Sequence, residues 1–81
     1  MKLFAIRMSL VAMVYAEDRS AAILAAKYNH RDIEGDTSEG SRTFEVVCEN
    51  VRADQLDLFG WDEMCIPYGY DGNTRIKELA L

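Results

Sequence analysis

Residues 2–16 are apolar on both alternating sets of positions, which is the pattern of a strand buried on two faces. The segment reads as one long strand or two short ones in the centre of a sheet, with Ser9 the place for a bend. At Glu17-Asp18 the period changes. Asp18 is positioned to cap a helix, and the ten residues after it include Ala21, Ala22, Ala25 and Ala26, a strongly helix-forming composition. Ala22, Ile23, Ala26 and His30 share one face at helical spacing, and small side chains there allow close approach to a sheet. Asn29 is expected to stop the helix in a left-handed conformation.

Residues 30–42, H-R-D-I-E-G-D-T-S-E-G-S-R, have neither a core face nor a period and read as a mobile acidic loop. At 13 residues it exceeds most connections, and loops of that size often carry function. Residues 43–51 alternate as a strand, with Phe44, Val46 and Cys48 on one face and Glu45, Val47 and Glu49 on the other. Residues 53–59 are ambiguous: Asp54 can cap a helical turn, while Leu56 and Leu58 alternate as a strand would. Gly60 ends the element in either case. Pro67-Tyr68-Gly69 breaks the next segment and Asp71-Gly72 signals a tight turn. Asn73 or Thr74 is then placed to cap a short helix with Ile76, Leu79 and Ala80 on one face, a closing strand being the alternative.

These elements predict an α+β fold: a small, mostly antiparallel sheet with one main Ala-rich helix packed on one face. At 81 residues the chain accommodates one domain, residues 1–81, with a single core. A filled core leaves function to the surface.

Charge sharpens that expectation. The net charge is −5, unevenly distributed. Residues 31–71 hold eleven acids against Arg31, Arg42 and Arg52, whereas residues 1–30 carry +2. Such a field attracts a basic partner, and no Lys/Arg cluster is present to bind nucleic acid directly. Cys48 and Cys65 form no C-x-x-C pair and have one histidine to join, so neither a structural metal nor a cofactor is expected. Two such thiols suit a reducing cytoplasm, each as a small buried hydrophobic side chain, with a disulfide between them as the alternative. Lys2 and the run from Met8 to Val14 loosely imitate a signal peptide, but Arg7 interrupts the apolar stretch and the segment reads as a mature strand. No stretch approaches the roughly 20 apolar residues of a membrane span.

Catalytic chemistry finds little support. His30 is the sole histidine, at a helix end beside a flexible loop, and any nucleophilic mechanism through Cys48, Cys65 or a serine would have to use it. Glu17-Asp18 is explained by helix capping. Asp32, Glu34 and Asp36 alternate as in a calcium loop but lack its spaced bidentate glutamate. The expectation is a non-enzyme. Phe59-Gly60-Trp61-Asp62-Glu63 with Tyr68-Gly69-Tyr70 is the most informative stretch, because Trp and Tyr interleaved with acids are frequent interface anchors. Phe59 and Trp61 serve equally as core plugs, whereas Tyr68 and Tyr70 are expected at the surface.

The apolar opening that runs into V-Y-A-E-D-R-S-A-A-I-L-A-A-K-Y is similar to the strand-to-helix start of small phage-encoded accessory proteins. With the short length and acidic middle, the chain resembles proteins of the anti-CRISPR type, some of which present carboxylates in place of nucleic-acid phosphates. The resemblance spans residues 1–30 and the overall charge, and it assigns no residue roles. It implies a stoichiometric inhibitor in the host cytoplasm that covers a basic nucleic-acid-binding surface of a host protein or nucleoprotein complex. The partner-binding residues expected from the sequence are Glu34, Asp36, Glu39, Asp54, Asp57, Asp62 and Glu63, with Trp61, Tyr68 and Tyr70 as aromatic anchors. The alternative is a homodimeric structural or regulatory module in which the acids only solvate. A small enzyme or ligand binder using Cys65 or His30 is the third reading.

Overall fold

The computed structural model describes residues 1–8, 10–29 and 43–79. Strands β1 (Lys2–Arg7) and β2 (Val11–Ala16) pair antiparallel, from Lys2 opposite Ala16 to Arg7 opposite Val11. Two short strands therefore account for the apolar opening, and the Met8 N–H donates to the Leu10 carbonyl at 2.8 Å across the reversal. Strand β3 (Glu45–Cys48) pairs antiparallel with the other side of β1, giving the order β2-β1-β3. β1 is central, and Leu3, Phe4, Ala5 and Ile6 are all fully buried, as an element with apolar residues on both faces requires.

Helix α1 (Arg19–Tyr28) begins where the sequence predicts. The Asp18 carboxylate accepts the Ala21 N–H at 2.8 Å, so Asp18→Ala should cost about 1 kcal/mol in chemical denaturation. Ala22 and Ala26 are fully buried, which brings the helix close to the sheet. Its end differs from expectation. Asn29 has φ −97° and ψ 15°, outside the left-handed region. Its backbone N–H donates to the Ala25 carbonyl at 3.0 Å, and its side-chain amide donates to the same oxygen at 2.8 Å, so the helix ends on a doubly held carbonyl.

Both faces of the sheet are covered. On one, Phe4, Ile6, Met8, Ala12 and Val14 pack with Ala22 and Ala26 of α1. On the other, Leu3, Ala5 and Met13 pack with Val51, Leu56 and Ile76 from the C-terminal half. A bulge in β3 breaks the predicted alternation. Ala5 faces Cys48 but Ile6 faces Val46, leaving Val47 as the extra residue. Phe44 and Val46 consequently join the helix side, while Val47 and Cys48 join the opposite side. Cys48 does not share a face with Phe44 and Val46, because one inserted residue reverses a period of two.

The ambiguous segment is helical: Ala53–Phe59 forms a 3-10 helix that Gly60 closes at φ +76°. Asp54 does not cap it. The Arg52 N–H donates to the Gln55 side chain at 2.9 Å, and Asp54 lies 3.5 Å from the exposed Arg52 Nε. A second 3-10 turn, Ile76–Glu78, plugs the core with Ile76. Neither Asn73 nor Thr74 caps it; both donate their backbone N–H groups to Asp71 in the preceding turn. The fold is thus α+β, with a three-stranded antiparallel sheet and one main helix. Among the described residues no helix is long and apolar enough to cross a membrane. The predicted loop 30–42, with His30, lies outside the described residues, as do Ser9 and Ala80.

Candidate partner-binding surface

Four of the predicted acids lie on one continuous excursion of the chain. Leu56, almost fully buried, pins the 3-10 helix to the sheet and leaves Asp54 and Asp57 exposed. Residues three apart eclipse in a 3-10 helix, so these two carboxylates share an edge. Asp62 and Glu63, both exposed, follow the Gly60 reversal in a turn and not a strand. The Asp62 carboxylate accepts the Met64 N–H at 2.7 Å, while the Glu63 carbonyl accepts the Lys77 N–H at 2.8 Å. Two apolar side chains stand among these acids: Leu58 is 76% exposed and Met64 48%. Glu34, Asp36 and Glu39 lie outside the described residues.

The aromatic residues divide differently from expectation. Trp61 is half-buried and touches both core layers, and its indole N–H donates to the Val11 carbonyl at 2.9 Å. Much of its surface therefore serves the fold. Phe59 is half-buried against the second layer. Tyr68 is half-buried too, contrary to the surface position expected for it. Pro67-Tyr68-Gly69 docks on the outer edge of β2, where the Tyr68 N–H donates to the Met13 carbonyl and its carbonyl accepts the Tyr15 N–H, each at 2.9 Å. An irregular, Gly-containing segment is thus a sheet-edge cover, which also protects that edge from pairing elsewhere. Tyr70 is at the surface, 51% exposed, with its ring edge-on to Tyr15 at 5.1 Å.

Two exposed side chains escaped the sequence reading. Leu24 is 69% exposed and Tyr28 90%. The alanine face of α1 explains the packing so fully that the second apolar stripe, Ala21, Leu24 and Tyr28 at helical spacing, passes unnoticed; its spacing is the signal that identifies it. Tyr28 and the 66–72 loop bound an open groove of about 560 Å³.

Asp71 is among the residues that line that groove. The Thr74 hydroxyl, then the Asn73 and Thr74 N–H groups, donate to its carboxylate and hold its pKa below the usual aspartate range. Because the folded value is the lower one, any stability from this group is present above the unfolded aspartate value of about 3.9 and is lost as pH falls through the folded value. An NMR titration should place the Asp71 midpoint below about 3.9, and Thr74→Val should move it upward.

Among the described residues, no group of three or more His, Cys, Asp and Glu side chains is arranged to hold a metal ion. Cys48 and Cys65 are both free thiols and only half-buried, at the margin of the second core layer and not inside it as expected, and the Cys65 sulfur lies 3.8 Å from Asp62 Oδ1. What the described surface offers is carboxylates interleaved with exposed apolar and aromatic groups, an arrangement suited to binding. Comparison with protein-family models, with curated proteins and with solved structures finds no significant match to this chain.

Proposed function

We propose that this protein is a non-catalytic, stoichiometric inhibitor of the anti-CRISPR type, phage-encoded and acting in the host cytoplasm, that covers a basic nucleic-acid-binding surface of a host defence complex. The observation that carries this reading is the excursion from Asp54 to Met64. It exposes four carboxylates together with Leu58 and Met64, on a frame fixed by buried Leu56 and half-buried Trp61. Solvation accounts for the acids, and an interface would also bury the exposed Leu58 and Met64 that follow them along the chain. In an interface, the carboxylates would set the encounter rate and the apolar groups the residence time. Tyr70 extends the same chemistry beyond the excursion.

The test is affinity capture from bacterial lysate containing CRISPR effector complexes, with mass spectrometry of what is retained at low salt and released at high salt. A nucleic-acid-handling complex in the released fraction supports the reading. Recovery of the bait alone counts against it.

The homodimeric module is the second reading, favoured by exposed Leu24 and Tyr28 on α1. A strictly monomeric species in sedimentation at high concentration would remove it.

A further inference from the structure

We infer that the groove between the end of α1 and the 66–72 loop is a socket for an arginine side chain of the partner. Who supplies that arginine rests on the function proposed above; the chemistry of the socket does not. Tyr28, Tyr68 and Tyr70 contribute to its lining, and Asp71 is the one charged side chain among the described lining residues. Two of the rings make T-shaped contacts with other aromatic groups. Tyr70 lies edge-on to Tyr15 at 5.1 Å, and Tyr68 edge-on to Trp61 at 6.4 Å. Gly69 fixes the loop against the sheet and helix, because a Cβ there would lie 3.0 Å from Val14 and 3.1 Å from Ala25. The groove wall is therefore built into the fold.

Its chemistry selects a cation with a flat face. The faces of tyrosine rings attract cations through their quadrupole, and Tyr28 and Tyr70 remain largely in water. Asp71 is an exposed carboxylate, and the hydrogen bonds of its turn hold its pKa below the ordinary aspartate range. The donors of the turn, with the Asp71 N–H among them, already engage the carboxylate, so a further cation meets it chiefly as a fixed negative charge. A guanidinium satisfies both features, since it stacks on an aromatic face while its delocalised charge lies beside the carboxylate. An ammonium offers no flat face, and an apolar side chain leaves the carboxylate unused. The net charge of −5 adds a favourable field for any cation that approaches.

The experiment titrates the 15N-labelled protein with Nα-acetyl-arginine-methylamide, with the norleucine analogue and tetramethylammonium as competitors in class. The arginine probe should give saturable shifts at the amides of Tyr70, Asp71 and Gly72, with a Kd in the millimolar range. Tyr70→Ala and Asp71→Asn should each weaken it about fivefold or more, the latter while keeping an acceptor for the turn. No saturation, or equal shifts with norleucine, overturns the socket, and tighter binding of tetramethylammonium overturns the assignment to arginine. Lysine substitutions at Asp54, Asp57, Asp62 and Glu63 should leave these shifts saturable. Partner capture that fails while the probe still binds thus contradicts the proposed function and leaves the socket standing.

Discussion

Gly69→Ala should lower the stability of the protein by about 2–4 kcal/mol, a large part of the total of about 4–12 kcal/mol expected for a chain of this length. Two costs combine. Gly69 has φ +83°, where a Cβ costs about 1–2 kcal/mol through its clash with the backbone. The added carbon would also meet Val14 Cγ1 at 3.0 Å, Ala25 Cβ at 3.1 Å and the Tyr15 carbonyl at 3.2 Å. None of these is the far end of a flexible side chain, so the strand, the helix or the loop must shift, at a further cost of about 1–3 kcal/mol. Gly60 and Gly72 also have positive φ but nothing within 4 Å, so they are matched controls for the backbone cost alone. In thermal unfolding, Gly69→Ala should lower Tm by about 10 °C or more, clearly beyond Gly60→Ala. Equal effects at the two positions would contradict the close docking of the Tyr68 segment on β2.

Replacing Asp54, Asp57, Asp62 and Glu63 together by lysine should weaken association with the proposed partner about 100-fold or more, equivalent to about 2.7 kcal/mol. The four side chains are exposed, so removing their charge should cost little folding stability. Asp62 is the exception, because its carboxylate accepts the Met64 N–H. Asp62→Asn, which keeps an acceptor oxygen, separates the turn from the charge. Binding by biolayer interferometry, with circular dichroism to confirm folding, reads both quantities. Retained affinity in a folded quadruple variant would assign these acids to solvation.

The first half of the chain was largely legible because local signals and packing agree there. Asp18 caps the helix that its composition announces, and residues 2–16 bury both faces because the sheet is covered on both. Asn29 shows where local reasoning stops. Its backbone N–H and its side-chain amide both donate to the Ala25 carbonyl, and its φ stays negative. The bulge at Val47 was illegible because nothing in E-V-V-C distinguishes an inserted residue from a regular one. Tyr68 was misplaced for a related reason. Proline and glycine signal an irregular path but not that the path runs along the edge of β2. Of the expected partner residues, Asp54, Asp57, Asp62, Glu63 and Tyr70 are at the surface, whereas Trp61 and Tyr68 are partly committed to the core. Leu24, Tyr28, Leu58 and Met64 are exposed, while smaller or neighbouring residues of the same segments, Ala22, Ala26 and Leu56, fill the core.

The most direct test of the central claim is the affinity for the captured nucleic-acid-handling complex, measured from low to high salt with and without its nucleic acid bound. A carboxylate surface that replaces phosphates predicts steep weakening as salt rises and mutual exclusion with the nucleic acid. An affinity unchanged by salt, or simultaneous binding of protein and nucleic acid, would contradict it.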